Sequence, residues 1–140
     1  MTRTHISNGV EYKRCSICKI DKPVSDFHKS SKRAGARTLT HGFIQSRCKH
    51  CQNVDKVEIR RRNLEHMQRI KMASGCVRCG FNDAACALDF HHVKEKSFAV
   101  TGGKGMLASI ETLNSELAKC VVLCANCHRI HHAESRKEQQ

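Results

Sequence analysis

A chain of 140 residues with 25 Lys and Arg against 13 Asp and Glu has a formal charge of +12, and its five Phe, one Tyr and no Trp leave little material for a large aromatic core. Residues 1–14 are polar, with Arg3, His5, Asn8, Glu11 and Lys13, so no export leader is read there, and no apolar run approaches the roughly 18 residues that a membrane-spanning helix needs. A secreted disulfide scaffold and a membrane protein are thereby set aside, and a soluble protein of a reducing cytoplasm is expected.

The ten cysteines suggest how so modest an apolar content folds. Eight of them form four Cys-x2-Cys pairs, Cys15/Cys18, Cys48/Cys51, Cys76/Cys79 and Cys124/Cys127, and only Cys86 and Cys120 are left over. A two-residue gap lets both thiolates of a tight turn reach one tetrahedral zinc ion, so four pairs make two complete sites. A thioredoxin-like redox role needs one reactive pair, and four in a Lys/Arg-rich chain do not fit it. Two structural zinc ions would contribute folding free energy directly, because neither site exists in the unfolded chain. With all eight bound as thiolates the charge falls from +12 to about +8, still that of a polyanion binder. The excess is one-sided: residues 1–75 hold 17 basic and 6 acidic side chains, residues 76–140 hold 8 and 7. Nucleic acid is the partner expected for the N-terminal half.

In chain order, residues 1–14 read as a flexible leader. Cys15-Ser-Ile-Cys18, a charged turn from Lys19 to Pro23 and a loop rich in Ser, Lys, Arg and Gly through His41 lead to Cys48-Lys-His-Cys51. Between the two knuckles the sizeable apolar residues are Phe27, Leu39, Phe43 and Ile44, so residues 1–52 are expected to form a zinc-ribbon-like module held by metal more than by packing. Lys29, Lys32, Arg33, Arg37, Arg47 and Lys49 offer phosphate contacts, though any one of them reads more readily as a solvated loop charge. Asn53 to about Ala73 lacks Gly and Pro and repeats Val54, Val57, Leu64, Met67 and Ile70 at helical spacing. That predicts a long basic linker helix over 53–75, about 30 Å in length, with Asn53 as its N-cap. Arg60, Arg61 and Arg62 at its middle either track a DNA backbone or are ordinary surface arginines.

The second module, 76–140, opens with the knuckle Cys76-Val-Arg-Cys79-Gly80 and a turn at Asn82-Asp83. A strand is predicted over Cys86–His92, then a loose loop at Gly102, Gly103 and Gly105. A helix follows over Ser109–Lys119 with Ser109 as N-cap, then a short buried strand over Cys120–Leu123 and a final helix opened by the Cys124 knuckle. Strand, long connection, strand and helix on a zinc base define a small zinc-stabilised α+β fold. On the last helix His128 and His132 stand at i and i+4 and present two imidazoles to one ion, with His131 facing elsewhere. The strand ending in His91-His92 can approach the same face if Cys79 and Cys127 share a zinc. Because a strand alternates its faces, both histidines serve one site only where the chain kinks or ends.

Leu88-Asp-Phe-His-His92, Lys96-Ser-Phe98 and Lys119-Cys-Val-Val-Leu-Cys-Ala-Asn-Cys-His-Arg-Ile-His-His132 together resemble the HNH endonuclease family over about residues 76–134. Both flanking knuckles, the paired histidines and the Cys-His-x3-His ending occur in the family's order. The resemblance implies a C-terminal ββα-metal module: two antiparallel strands and a helix around one catalytic divalent ion. It also implies a phage or prophage type that carries an extra N-terminal zinc module. Carried over by position, His92 would be the general base, and His91, His128 and His132 the ligands of the catalytic ion. Cys76, Cys79, Cys124 and Cys127 match the structural zinc of the family, and Cys15, Cys18, Cys48 and Cys51 would hold the zinc of the N-terminal module. Asp89, on the face of His91, either orients an imidazole or binds the ion itself. The family's middle asparagine falls at about Lys119, so no asparagine is assigned a catalytic role, Asn114 and Asn126 being the nearest.

The function expected on this basis is metal-dependent hydrolysis of DNA phosphodiester bonds, by nicking or double-strand cleavage, leaving a 5′-phosphate and a 3′-hydroxyl. His92 would take the proton of an in-line water, and Arg129 is a candidate phosphate contact or a surface residue. Three imidazoles favour Mn, Co, Ni or Zn over Mg. Expected partners are DNA and, for a phage protein, terminase or other packaging proteins in the bacterial cytoplasm, with the chain a monomer or homodimer. The alternatives are a noncatalytic zinc-binding DNA adaptor and a DNA-packaging accessory. An adaptor would have no use for His92 beside a complete three-histidine site.

Overall fold

The computed structural model describes residues 4–29 and 44–137 and divides into two compact units, Met1–Val57 and Glu58–Gln140. Lys32, Arg33, Arg37, Leu39, His41 and Phe43 lie outside the described residues. No helix among those described is long and apolar enough to cross a membrane.

The first unit begins with order where a flexible leader is expected. β1 (Thr4–Ser7) and β2 (Val10–Arg14) form an antiparallel hairpin, and β3 (Asp21–Pro23) adds to β2 to complete a three-stranded sheet. The local cause is Asn8-Gly9, whose φ angles of 48° and 75° suit the two-residue turn that matches the twist of paired strands. His5 stacks on Tyr12 across the hairpin with ring centroids 5.7 Å apart. A second, two-stranded sheet pairs β4 (Phe27–Lys29) with β5 (Ile44–Cys48), setting Phe27 opposite Cys48. Among the described residues the core here is mostly sulfur: Cys15, Phe27, Cys48 and Cys51 are buried, with Cys18 and Ile44 packed against them.

α1 (Lys49–Ser74) begins four residues before the predicted N-cap, because Cys51 must sit in a helical first turn to face Cys48. Its periodicity is realised only in part. Met67 is buried and Ile70 half-buried against Val100, Leu113 and Leu117, whereas Val54, Val57 and Leu64 are exposed, at 54%, 62% and 46%. The inward position one turn before Met67 is taken instead by Asn63, fully buried.

In the second unit β6 (Leu88–His92) pairs antiparallel with β7 (Cys120–Cys124) in an unbroken register from Leu88 opposite Cys124 to His92 opposite Cys120. The long connection holds a single helical turn, α2 (Gly103–Met106), and then α3 (Ile110–Leu117). Ser109 caps α3 as expected, its hydroxyl accepting from the Thr112 N–H at 3.2 Å. The glycine-rich stretch is not loose: Gly105 is buried, and a Cβ there would overlap the Val100 carbonyl. α4 (Ala125–Lys137) follows β7 directly. Leu88, Val122, Leu123 and the cysteines Cys76, Cys124 and Cys127 form one core, with Phe90 bridging to the α1 and α3 cluster.

The two units share a local plan. In the first knuckle the Cys15 N–H donates to the Ile20 carbonyl at 3.0 Å and the Lys19 N–H to the Cys15 carbonyl at 3.0 Å; in the second, Cys76 donates to Phe81 and Gly80 to Cys76, both at 2.8 Å. A 3-10 turn then precedes the strand, Val24–Asp26 in one unit and Ala85–Ala87 in the other. These positions all differ by 61, as 15 and 76 or 24 and 85 do. In both units the strand's first residue, Phe27 or Leu88, stands opposite the third cysteine, and the fourth cysteine lies in the first turn of a helix.

Candidate metal centre

Four sulfurs about 2.3 Å from a tetrahedral zinc stand about 3.8 Å from one another. The cluster Cys15, Cys18, Cys48, Cys51 places two of its sulfurs 3.9 Å apart (Cys15 and Cys51), and Cys76, Cys79, Cys124, Cys127 places Cys79 and Cys124 3.7 Å apart. Both clusters therefore have the donors and the spacing of a zinc site. Backbone N–H groups support the thiolates: Cys48 and Ile17 donate to Cys15 Sγ at 3.3 and 3.4 Å, and Cys127 donates to Cys124 Sγ at 3.4 Å. Burial alone would raise the Cys15 and Cys76 thiols, but backbone N–H groups outweigh it, those of Cys48, Ile17 and Cys18 at Cys15 and those of Cys124, Cys79 and Arg78 at Cys76, and hold each at about 6. Cys51 is pushed up to about 12 by its contact with Cys48 and by burial, and Cys127 likewise by Cys124 and burial. Each four-cysteine cluster thus resists complete ionisation by itself, through Cys51 in one and Cys127 in the other, and a dication is the natural counter-charge.

A third cluster forms where β6 meets α4. His91, His128 and His132 bring one ring nitrogen each within 4.8 Å of the others. His91 Nδ1 lies 3.2 Å from His128 Nε2, and His132 Nε2 lies 3.1 Å from the same atom. Two nitrogens bound at about 2.1 Å to one ion are separated by about 3.0 to 3.4 Å, so this donor set fits a shared divalent ion. The nitrogen of His128 turned away from the cluster, Nδ1, meets Asp89 Oδ2 at 3.1 Å. Asp89 therefore orients His128 through the ring's far side, the arrangement in which a carboxylate sets the tautomer of a metal-binding imidazole. Burial first, and then the neighbouring His131, His128, His132 and His92, keep His91 below the usual histidine value and favour the neutral, ligating form. His131 does not face elsewhere: its ring packs edge-on against His91 with centroids 4.4 Å apart, since i+3 from His128 borders the same helical face.

His92 is not in this cluster. The strand continues without a kink, so its ring points to the opposite face and its Nε2 meets Glu116 Oε1 on α3 at 3.0 Å. Glu116 is 2% exposed and collects further donors: the Ser97 and Phe98 N–H groups at 2.8 and 3.1 Å and the Lys119 ammonium at 2.9 Å. The Lys119 contact, overcoming burial with help from Phe98, Ser97 and His92, holds the carboxyl down to about 2. Sequence reading missed Glu116. Its signal was a carboxylate placed between Leu113 and Leu117 on the apolar face of α3.

Of the six expected DNA contacts, four side chains are already engaged. Arg47 pairs with Asp55, Lys49 donates to the Ser25 carbonyl at 2.7 Å, Arg61 bridges Glu58 and Glu65, each at 2.6 Å, and Arg62 reaches Asn63 Oδ1 at 3.1 Å. Arg60 and Arg129 are exposed and have no ion-pair partner among the described residues. In comparisons with known proteins the chain matches no family model, no curated protein and no solved structure.

Proposed function

We propose that the second unit is a metal-dependent endonuclease module of the HNH type that hydrolyses DNA phosphodiester bonds, with the N-terminal unit and α1 adding affinity for the polyanion. The observation that supports this best is the convergence of His91, His128 and His132 from a strand and a helix set on a four-cysteine base, with His92 next to the first of them. A structural zinc site needs no such open, half-exposed imidazole triad beside a complete thiolate site.

A divalent ion held by His91 Nδ1, His128 Nε2 and His132 Nε2 would draw charge from a nonbridging phosphate oxygen and from the departing oxygen. Asp89 keeps the His128 ring turned so that Nε2 faces the other two. His92, with Nε2 committed to Glu116, offers Nδ1 as the atom that takes a proton from the attacking water. Arg129, exposed and one residue beyond His128, would supply a phosphate contact.

Supercoiled plasmid incubated with zinc-loaded protein tests this reading, with Mn, Ni or Mg added after labile metal has been stripped. Metal-dependent nicking is expected. It should be abolished in His128→Ala and lowered by about 10²- to 10⁴-fold in His92→Ala, with the latter still binding the third metal. DNA binding without cleavage under every metal would instead make the protein a zinc-binding DNA adaptor.

A further inference from the structure

The proposed nuclease uses Glu116 only as the group that meets His92 Nε2, yet this buried carboxylate gathers four partners from three separate segments of the second unit. It sits on α3 at 2% exposure and touches the end of β6 through His92, the following loop through the Ser97 and Phe98 N–H groups, and Lys119 just before β7. Lys119 closes the same loop from the other side, donating to Ser97 Oγ at 2.6 Å. If holding the loop were its whole task, a neutral glutamine would accept from the same two N–H groups at a smaller desolvation cost. What an ionised carboxylate adds is that it only accepts. An amide can face either nitrogen state of an imidazole, because it carries both a donor and an acceptor. A carboxylate requires that the nitrogen facing it bear the hydrogen.

We propose that Glu116 is a positioning residue: it takes the Nε2–H of His92, leaves Nδ1 as the basic nitrogen, and fixes the ring by tying the end of β6 to the loop at Ser97 and Phe98. The proposal deepens the nuclease reading and rests on it for the catalytic consequence; the tautomer itself is independent of any activity. The geometry also explains why His92 is absent from the metal cluster. A ring drawn onto α3 does not complete the coordination of an ion held from α4, and it stays available to a water.

The experiment is nitrogen-15 NMR of the full-length, zinc-loaded protein labelled at histidine, with the His92 signals identified by their loss in His92→Ala. The wild type should show His92 as the Nε2–H tautomer. Glu116→Gln should convert it to a mixture of tautomers and lower kcat on DNA by on the order of 10- to 100-fold, with KM changed by less than about twofold. Lys119→Met, which loosens the loop but leaves the carboxylate, should keep the wild-type tautomer. An Nδ1–H tautomer in the wild type overturns the proposal, whatever Glu116→Gln does. Unchanged tautomer and kcat in Glu116→Gln also overturn it and reduce Glu116 to a loop clamp. The expected tautomer together with a wild type that cleaves nothing would sink the nuclease reading while supporting the assignment of Glu116 to His92.

Discussion

Asn63 shows how one polar side chain can do the packing work of an apolar one. It is fully buried on α1, and its amide nitrogen donates to the carbonyls of Gly105, Met106 and Ala108 at 3.3, 3.2 and 3.0 Å, while its oxygen accepts from Arg62 at 3.1 Å. The Gly105 carbonyl also accepts from the Ala108 N–H at 3.2 Å and the Ala108 carbonyl from Arg62 at 3.4 Å, so Asn63 completes the bonding of this short turn and burial makes its loss costly. Gly105 is the complement, bare enough to lie against Val100. Asn63→Ala should therefore destabilise the second unit by about 2–4 kcal/mol, through the lost buried hydrogen bonds plus a cavity, read as a lower urea midpoint with little change in slope. Asn63→Leu fills the volume without restoring a donor, and it should recover only part of that loss.

The two knuckles are the same local structure built from different residues. The fourth position after the first cysteine lies in the left-handed region in both, as Lys19 with φ 59° and Gly80 with φ 77°. The left-handed conformation costs an L-residue about 1 kcal/mol or more, and glycine almost nothing. Nothing lies within 4 Å of a Cβ built at Gly80, so Gly80→Ala should cost about 1 kcal/mol from the backbone alone. Lys19→Gly should move the first unit the other way by a similar or smaller amount, since glycine also gains freedom in the unfolded chain. Thermal melts of the zinc-loaded variants measure both. Opposite signs at equivalent positions would confirm that the repeated hydrogen bonds report one knuckle geometry.

For the molecule as a whole, sulfur takes the place of a conventional core. Among its described residues the first unit buries Phe27 as the one large apolar side chain beside Cys15, Cys48 and Cys51, too little apolar surface to offset the ordering of its backbone. A structural zinc contributes on the order of 10 kcal/mol at neutral pH, comparable to the entire net stability of a domain. The protein should thus bind two tightly held zinc ions, counted by native mass spectrometry. Chelation under denaturant-free conditions should melt the first unit completely and the second at least around β6, β7 and α4. Circular dichroism would follow the loss and its reversal on adding zinc. A first unit that keeps its fold after chelation would contradict this account.

Much of this was legible in local sequence because it depends on local spacing. The four Cys-x2-Cys pairs, the Ser109 cap, the two strands before and after the long connection, and the i, i+4 pair His128 and His132 need only the turn geometry of a few neighbouring residues. The hairpin at Asn8-Gly9 and the repeat at a shift of 61 were equally local and went unread, since a polar leader hid the one and differing side chains the other. Tertiary structure alone decided which partners meet across the chain. It turned His91 to α4 and His92 to α3, made Asp89 the partner of His128, buried Glu116, and chose Asn63 over Leu64 as the inward face of α1. The reason is physical. A strand's alternation says that two neighbouring histidines part company, but which helix packs on each face is set by long-range packing that no short window of sequence contains.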